Sequence, residues 1–165
     1  MSAKAAKTLS IARIAAPPAE AMPDLLRLDL QLCFALYAAG NRMTRLYRPL
    51  LDPLGLTYPQ YLAMMALWEA APQTVGALGR RLSLDSGTLT PLFKRLEKLA
   101  LVERRRDPGD ERRVLIDLTD KGLALREQAA AVPMAMLRQL PLAPDELVQL
   151  KDLLTRLAAG IAPSD

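Results

Sequence analysis

Apolar residues recur every three or four positions along much of this chain. Leucine, alanine and methionine keep that spacing from about Leu25 to Tyr47, which predicts a long amphipathic helix ended by Pro49. Thr57 is a suitable cap for a second helix over about residues 59–70, with a loop between the two helices. Each of these helices is therefore expected to bury one face.

The next part of the chain has the pattern of two short helices separated by a tight turn. Thr74 is predicted to cap a helix over about residues 75–82, and a second helix opens at Asp85 or Ser86 and runs to about Leu99. The predicted buried face of this second helix consists of Leu89, Leu92, Phe93, Leu96 and Leu99.

Pro91 falls inside that second helix, although a proline is tolerated at low cost only in the first turn. Either the regular helix starts late, near Thr88, or it bends at the proline. The sequence leaves both alternatives open.

A basic hairpin follows. Val102–Arg105 and Val114–Leu118 read as two short strands, and residues 107–112 read as the loop that joins them. A short helix, a turn, a helix and a hairpin in this order predict a winged helix-turn-helix.

The rest of the chain is helical in pattern. Thr119 is predicted to cap a long helix with a kink or break at Pro133, and Pro144 to start a last helix. These helices and the first one carry more leucine than a small winged domain can cover, so a second copy of the chain is expected to bury the excess. The predicted fold class is mainly α with a small β-hairpin wing, in a homodimer formed by the N- and C-terminal helices.

Four regions are predicted on this basis. Residues 1–24 form a flexible tail, although its scattered basic residues leave a targeting peptide conceivable. Residues 25–56 form the dimerisation and sensor helix with its loop. Residues 57–119 form the winged helix-turn-helix, and residues 120–165 form the C-terminal dimerisation helices.

Composition removes several kinds of chemistry. The 165 residues include one cysteine and no histidine, which excludes an internal disulfide, a Cys/His zinc site and any catalytic triad that needs histidine. No cofactor is expected, and no apolar run approaches the ~20 residues of a membrane span. The default location is a reducing cytoplasm.

Charge is concentrated in one stretch. Thr74–Ile116 holds ten Lys and Arg against six Asp and Glu, an excess equal to the net charge of +4 of the whole chain. Such an excess on a helix-turn-helix and hairpin predicts contact with double-stranded DNA, while a merely solvated charged face is the alternative. The candidate contacts on the recognition helix are Ser86, Thr88, Thr90, Lys94 and Arg95. The candidates on the hairpin are Arg105, Arg106, Asp110, Arg112 and Arg113, with Arg112 at the tip, held by Asp110.

Cys33 is the one residue that could act as a redox switch. Tyr37 lies one helical turn further on, and Tyr47 lies ~21 Å along the same helix, so Tyr47 could reach Cys33 only from a second copy in an antiparallel pair. A phenol that donates a hydrogen bond to sulfur favours the thiolate, which is the form that peroxide oxidises. From the residues alone, however, a lone cysteine among leucine, phenylalanine and alanine is predicted to be a small core side chain, and not a switch.

Three motifs carry a resemblance to a known family. Leu28-Asp-Leu-Gln-Leu-Cys-Phe-Ala-Leu-Tyr37, Leu56-Thr-Tyr-Pro-Gln-Tyr-Leu62 and Leu84-Asp-Ser-Gly-Thr-Leu-Thr-Pro91 resemble the MarR family of winged-helix regulators, and within it the organic hydroperoxide resistance regulators. The match covers about residues 25–160. Asp110-Glu-Arg-Arg113 is similar to the wing motif of many MarR proteins.

The resemblance implies a homodimeric repressor on an inverted-repeat operator, released when organic hydroperoxides oxidise Cys33 to a sulfenic acid. Tyr37, Tyr47 and Tyr58 match the tyrosines that hydrogen-bond the sulfur in that family, some from the other subunit. The second, resolving cysteine of part of the family is missing. Release would then need a mixed disulfide with a small thiol, a sulfenamide or overoxidation.

Three other functions remain as alternatives from the sequence. The first is a MarR-type repressor released by a small ligand such as an aromatic acid, with Cys33 inert. The others are a one-cysteine thiol peroxidase and a helical dimerisation module with a solvated charge face.

Overall fold

The computed structural model describes residues 26–161, except the side chains of Ser86 and Glu111. The chain divides into two compact units, and the division falls between Met43 and Thr44 within the first long helix. The predicted tail lies outside the described residues.

The first helix, α1, spans Leu32–Leu51 and follows a 3-10 turn at Leu28–Leu30. The prediction of a helix is confirmed, but both of its predicted ends are wrong. The helix starts later than Leu25 and continues through Pro49 to Leu51, which is fully buried. Burial of this leucine in the core offsets the backbone hydrogen bond that the proline removes.

The second helix, α2, spans Tyr58–Glu69 and supplies much of the core. It begins as predicted, with the Thr57 N–H donating to Gln60 Oε1 at 2.8 Å. Trp68 is half-buried, and its indole N–H donates to the Gly122 carbonyl at 2.8 Å. This bond ties α2 to the helix that follows the sheet.

The helix-turn-helix consists of α3, Val75–Leu82, and α4, Ser86–Lys98. The Thr74 hydroxyl caps α3 by accepting the Ala77 N–H at 3.1 Å, as predicted. A Cβ on Gly79 would lie 2.9 Å from Leu89 Cδ1, so glycine there lets the two helices approach closely.

The sheet has three antiparallel strands in the order β1-β3-β2, where β1 is Gln73–Thr74, β2 is Val102–Asp107 and β3 is Asp110–Leu118. The predicted hairpin is confirmed, but the predicted loop over 107–112 is wrong. Only Pro108 and Gly109 lie between the strands, because backbone pairing continues into the charged residues.

The remaining helices are α5, Asp120–Ala129, α6, Val132–Leu137, and α7, Pro144–Gly160. The Thr119 cap, the break at Pro133 and the start at Pro144 are confirmed. The fold class, mainly α with a small β wing, is also confirmed. No helix within residues 26–161 is both long and apolar enough to cross a membrane.

Candidate nucleic-acid interface and thiol site

The first turn of α4 is fixed by Asp85. Its carboxylate accepts the Thr88 N–H at 2.9 Å and the Thr88 hydroxyl at 3.1 Å. These two bonds, the backbone bond first, lower the pKa of Asp85 below 3.8. Thr88 therefore keeps its predicted place at the exposed end of the helix, with its hydroxyl already donating to the cap.

Pro91 lies inside a helix that begins at Ser86, so the alternative of a late start near Thr88 is wrong. The predicted inner face is buried at Leu89, Leu92, Phe93 and Leu96. Leu99 was also placed there, but it is 38% exposed because it follows the last helical residue.

The exposed face of α4 carries three further predicted contacts, Thr90, Lys94 and Arg95. The side chain of Ser86, the fifth predicted contact, is outside the part of the chain that the structure describes. This geometry places two cations and a hydroxyl on the surface that a major groove would meet. Their role in binding DNA stays a prediction.

Arg105 and Arg106 occupy neighbouring positions in β2 and are both exposed. The Arg105 guanidinium pairs with Asp117 on β3 at 2.6 Å, so its position is fixed across the strands. Arg106 lies directly opposite Val114, next to the bulge near the turn.

Asp110 organises the start of β3 differently from the prediction. Asp110 does hold Arg112, but its carboxylate accepts the backbone N–H of Arg112, at 3.1 Å, and its ion pair is with Arg113, at 3.2 Å. The predicted place of Arg112 at the tip of the hairpin is wrong, because Arg112 lies within β3 and the turn consists of Pro108 and Gly109. An aspartate can hold a backbone amide two positions on and a side chain three positions on, which leaves Arg112 to project elsewhere.

Arg112 and Arg113 line a cleft of 580 Å³ between the start of α3, the outer part of α4 and the wing. Two further arginines line it, Arg80 and Arg104, which sequence reasoning did not select. The sequence did hold a signal for Arg104: with a strand period of two, the apolar Val102 two positions earlier puts Arg104, and not Arg105, on the inward side.

The thiol site begins near the N-terminus of α1. Cys33 is exposed, and Tyr37, one turn further along the same helix, is 67% exposed. Cys33 and Tyr47 both belong to α1, which spans Leu32–Leu51.

Tyr47 and Tyr58 lie together in the second unit. Their ring centroids are 4.6 Å apart, and that of the buried Tyr61 is 6.0 Å from Tyr47. Burial raises the pKa of Tyr47 and Tyr58, and the neighbouring Tyr58 raises the pKa of Tyr47 further. Both phenols are therefore protonated near neutral pH and can donate hydrogen bonds.

A metal centre has no support in the described part of the chain. Within residues 26–161 no three His, Cys, Asp or Glu side chains are grouped so that they could hold an ion. The chemistry available there is that of one thiol, tyrosine donors and arginines.

Comparison with known proteins gives these surfaces a context. Residues 45–128 match the family described as transcriptional regulator SarA/Rot. The organic hydroperoxide resistance transcriptional regulator of Bacillus subtilis is 48% identical over 134 residues, which cover 81% of this chain and 91% of that protein. These relatives are transcriptional regulators and not enzymes.

Solved structures agree with that likeness. Reduced AbfR bound to DNA has a TM-score of 0.71 at 38% identity, over 85% of this chain and 96% of its own, and overoxidised AbfR bound to DNA has a TM-score of 0.68 at 38% identity, over 85% and 99%. AbfR comes from Staphylococcus epidermidis. A cysteine-to-serine mutant of MarR from E. coli, complexed with operator DNA, has a TM-score of 0.72 at 30% identity, over 78% and 94%.

Proposed function

Since the chain belongs to the SarA and MarR family of winged-helix transcriptional regulators, we propose that it is a cytoplasmic redox-sensing repressor. It binds operator DNA while Cys33 is reduced and leaves the DNA when an organic hydroperoxide oxidises that thiol. The likeness to the organic hydroperoxide resistance regulator, in a chain whose only thiol is Cys33, carries this proposal.

The DNA-binding half of the proposal rests on the exposed face of α4 and on the wing. Lys94 and Arg95 are exposed on α4, and Arg106 and Arg112 are exposed on the wing. An inverted-repeat operator would place the two recognition helices of a dimer in successive major grooves, ~34 Å apart, with the wings beside them.

The dimer half rests on apolar surface that one chain leaves uncovered. Leu30 and Leu32 are 58% and 63% exposed in the first unit, and Val148 and Leu153 are 60% and 59% exposed on α7. Patches of this kind mark association surfaces, and we assign both to a second copy of the chain.

The chemical step is oxidation of the Cys33 thiolate. The sulfur attacks the distal oxygen of the hydroperoxide, the O–O bond breaks, and the alkoxide leaves as the alcohol after taking a proton, which gives a sulfenic acid. Tyr37 of the same chain, with Tyr47 and Tyr58 of the second copy, would donate hydrogen bonds that favour the thiolate. The close pairing of Tyr47 and Tyr58 supports their action as one group.

The later fate of the sulfenic acid needs a partner thiol, because the chain has no second cysteine. A small thiol would displace the hydroxyl group as water and form a mixed disulfide on Cys33. Overoxidised AbfR was solved bound to DNA, so overoxidation and DNA binding coexist in that protein. We therefore favour the mixed disulfide as the form that releases DNA.

The direct test is operator binding followed by fluorescence anisotropy. Wild type and Cys33→Ser are compared before and after one equivalent of cumene hydroperoxide, with and without a small thiol. We expect loss of binding in wild type alone, strongest when the thiol is present. If binding survives oxidation in both proteins, redox sensing is excluded.

Other functions give different results. A repressor released by a small ligand would lose its operator on titration with aromatic acids regardless of Cys33; the relatives do not favour it. A thiol peroxidase would consume many equivalents of hydroperoxide per Cys33, whereas a sensor consumes a stoichiometric amount unless a reductant is added. A dimerisation module would not show the steep salt dependence of DNA binding.

A further inference from the structure

We propose that Arg80 and Arg104 complete a binding site for one phosphate group in the cleft between α3, α4 and the wing. The phosphate belongs to the backbone of the bound DNA duplex. This inference rests on the proposed function and extends the DNA contacts to two arginines outside the predicted set.

Arg104 is the first reason. It is two positions from the buried Val102 in β2, and so lies on the same face of the strand. It is also directly opposite Ile116, which is fully buried, so its side chain leaves the strand on the core side. The side chain is half-buried. A partly desolvated guanidinium is costly without an anionic partner.

Arg80 is the second reason. It belongs to the last turn of α3, where the negative end of the helix dipole would stabilise its positive charge. Its Nη1 atom instead reaches back to within 3.9 Å of the position of a Cβ on Gly76, at the other end of the helix. A cation at a helix N-terminus is unfavourable unless an anion lies beside it.

The N-terminus of α3 itself supplies donors. Val75 and Gly76 line the cleft, and their N–H groups are among those that a helix start leaves without a partner inside the helix. The Thr74 hydroxyl caps Ala77 instead. Phosphate groups bind readily where such amides and guanidinium groups meet.

Three of the four arginines that line the cleft form no ion pair with a side chain that the structure describes. Among the side chains that the structure describes, no ion pair includes Arg80, Arg104 or Arg112, whereas Arg113 is paired with Asp110. The described residues that line the cleft include no carboxylate. An anion is thus the missing partner.

The position of the cleft identifies its source as DNA. Thr90 of the recognition helix and Arg112 of the wing both line it, so it is continuous with the surface proposed to meet the duplex. A backbone phosphate that enters between these two elements would fix the register of the recognition helix, while base contacts read the sequence.

The test combines protein variants with single uncharged phosphates. A duplex selected in vitro for binding to the reduced protein carries one methylphosphonate at each position in turn. For wild type, we expect one position per half-site where the substitution weakens binding about eightfold at 0.1 M salt. This factor follows because loss of one phosphate contact reduces the slope of log K against log salt concentration by ~0.9. In Arg80→Gln and in Arg104→Met, a methylphosphonate at that position should not weaken binding further.

Arg81→Gln is the matched control. Arg81 is adjacent to Arg80 on α3, but it pairs with Glu69 and does not line the cleft. It should keep both the sensitive position and the wild-type salt slope. Arg80 is exposed, so Arg80→Gln should fold normally. If Arg104→Met fails to fold, Arg80→Gln still tests the site against wild type and Arg81→Gln.

The outcomes separate this inference from the proposed function. If wild type binds the duplex and releases it on oxidation, but Arg80→Gln retains every phosphate sensitivity, only the cleft assignment is overturned. If wild type binds no duplex, the proposed function itself fails. If calorimetry detects binding of inorganic phosphate to the free protein, but no position of the duplex is sensitive to substitution, the assignment of the phosphate to DNA is overturned.

Discussion

Many leucines of the DNA-binding region are buried, whereas many leucines of the two helical regions at the ends of the described chain are exposed. Between α2 and β3, Leu78, Leu89 and Leu96 are at most 1% exposed, and the surface is left to arginine. In the first unit and on α7, Leu32 and Leu153 are 63% and 59% exposed. One region is complete within a single chain, and the other is proposed to need a second copy.

This difference bears on how a thiol could control DNA binding. A sulfur in a closed core would be protected from hydroperoxide, and modification there would unfold the domain. Cys33 is exposed, in the unit whose apolar residues are also exposed. We infer that its modification changes how two copies fit together and leaves the winged domain folded, as a reversible switch requires.

Adding one methyl group should distinguish the two regions most sharply. A Cβ on Gly122 would lie 2.0 Å from the Leu101 carbonyl oxygen, so Gly122→Ala must displace backbone and should destabilise the chain by about 3 kcal/mol or more. A Cβ on Gly40, in the first unit, meets nothing within 4 Å, and Gly40→Ala should stabilise α1 by up to ~1 kcal/mol. Guanidinium unfolding followed by circular dichroism measures both.

The control for this pair is operator binding. Gly40→Ala should fold normally, and a loss of dimer or DNA binding in this variant would indicate that the second copy packs closely at Gly40. Equal unfolding midpoints for Gly122→Ala and wild type would contradict the close approach at Gly122.

Removal of leucine side chains tests the same contrast. Leu96→Ala creates a cavity in the core and should cost about 2–5 kcal/mol at any protein concentration. Leu153→Ala removes an exposed side chain, so it should scarcely change the stability of the single chain but should weaken the dimer. Sedimentation velocity over a concentration series, beside thermal unfolding, separates the effects. Unchanged association in Leu153→Ala would remove α7 from the interface.

The complete region was also the one that the sequence predicted best. Thr57, Thr74, Asp85 and Thr119 each precede a helix, and each of these helices begins at the next residue. Caps depend on bonds between residues three positions apart, which a sequence displays directly. The bounds of α1 were missed, since its end depends on burial of Leu51 by distant residues.

Details of the wing and the sensor were beyond sequence reasoning for other reasons. A two-residue strand such as Gln73–Thr74 has no periodicity. Val102 indicates that Arg104 faces inward, but the cleft that Arg104 lines depends on how α3 packs beside the wing, which the sequence does not show. The proximity of Tyr47 and Tyr58 joins two helices across a turn, and only the resemblance, without geometry, put them in one set.

Loss of one phenol should have a smaller effect than loss of a leucine. Tyr47→Phe removes a protonated donor, and oxidation of Cys33 should become about tenfold slower, which corresponds to ~1.4 kcal/mol. Tyr61→Phe is the control, because its ring centroid is 6.0 Å from that of Tyr47 and it is not among the predicted sulfur partners. Stopped-flow thiol loss with cumene hydroperoxide gives both rates. Equal slowing by both variants would point to packing and not to hydrogen bonding.

The cap of the recognition helix should have the smallest effect, and one that depends on pH. The folded-state pKa of Asp85 is lowered below 3.8, first by the Thr88 N–H and then by the Thr88 hydroxyl. The ionised cap therefore stabilises the fold above about pH 4, and this contribution is lost as the pH falls through the lowered pKa. Asp85→Ala should lower the Tm slightly at pH 7, and the gap to wild type should be smaller at pH 3. Asp85→Asn keeps an acceptor without a titrating charge, so its Tm at pH 7 should stay near that of wild type. If the gap between Asp85→Ala and wild type is the same at both pH values, the charge of Asp85 does not stabilise the start of α4.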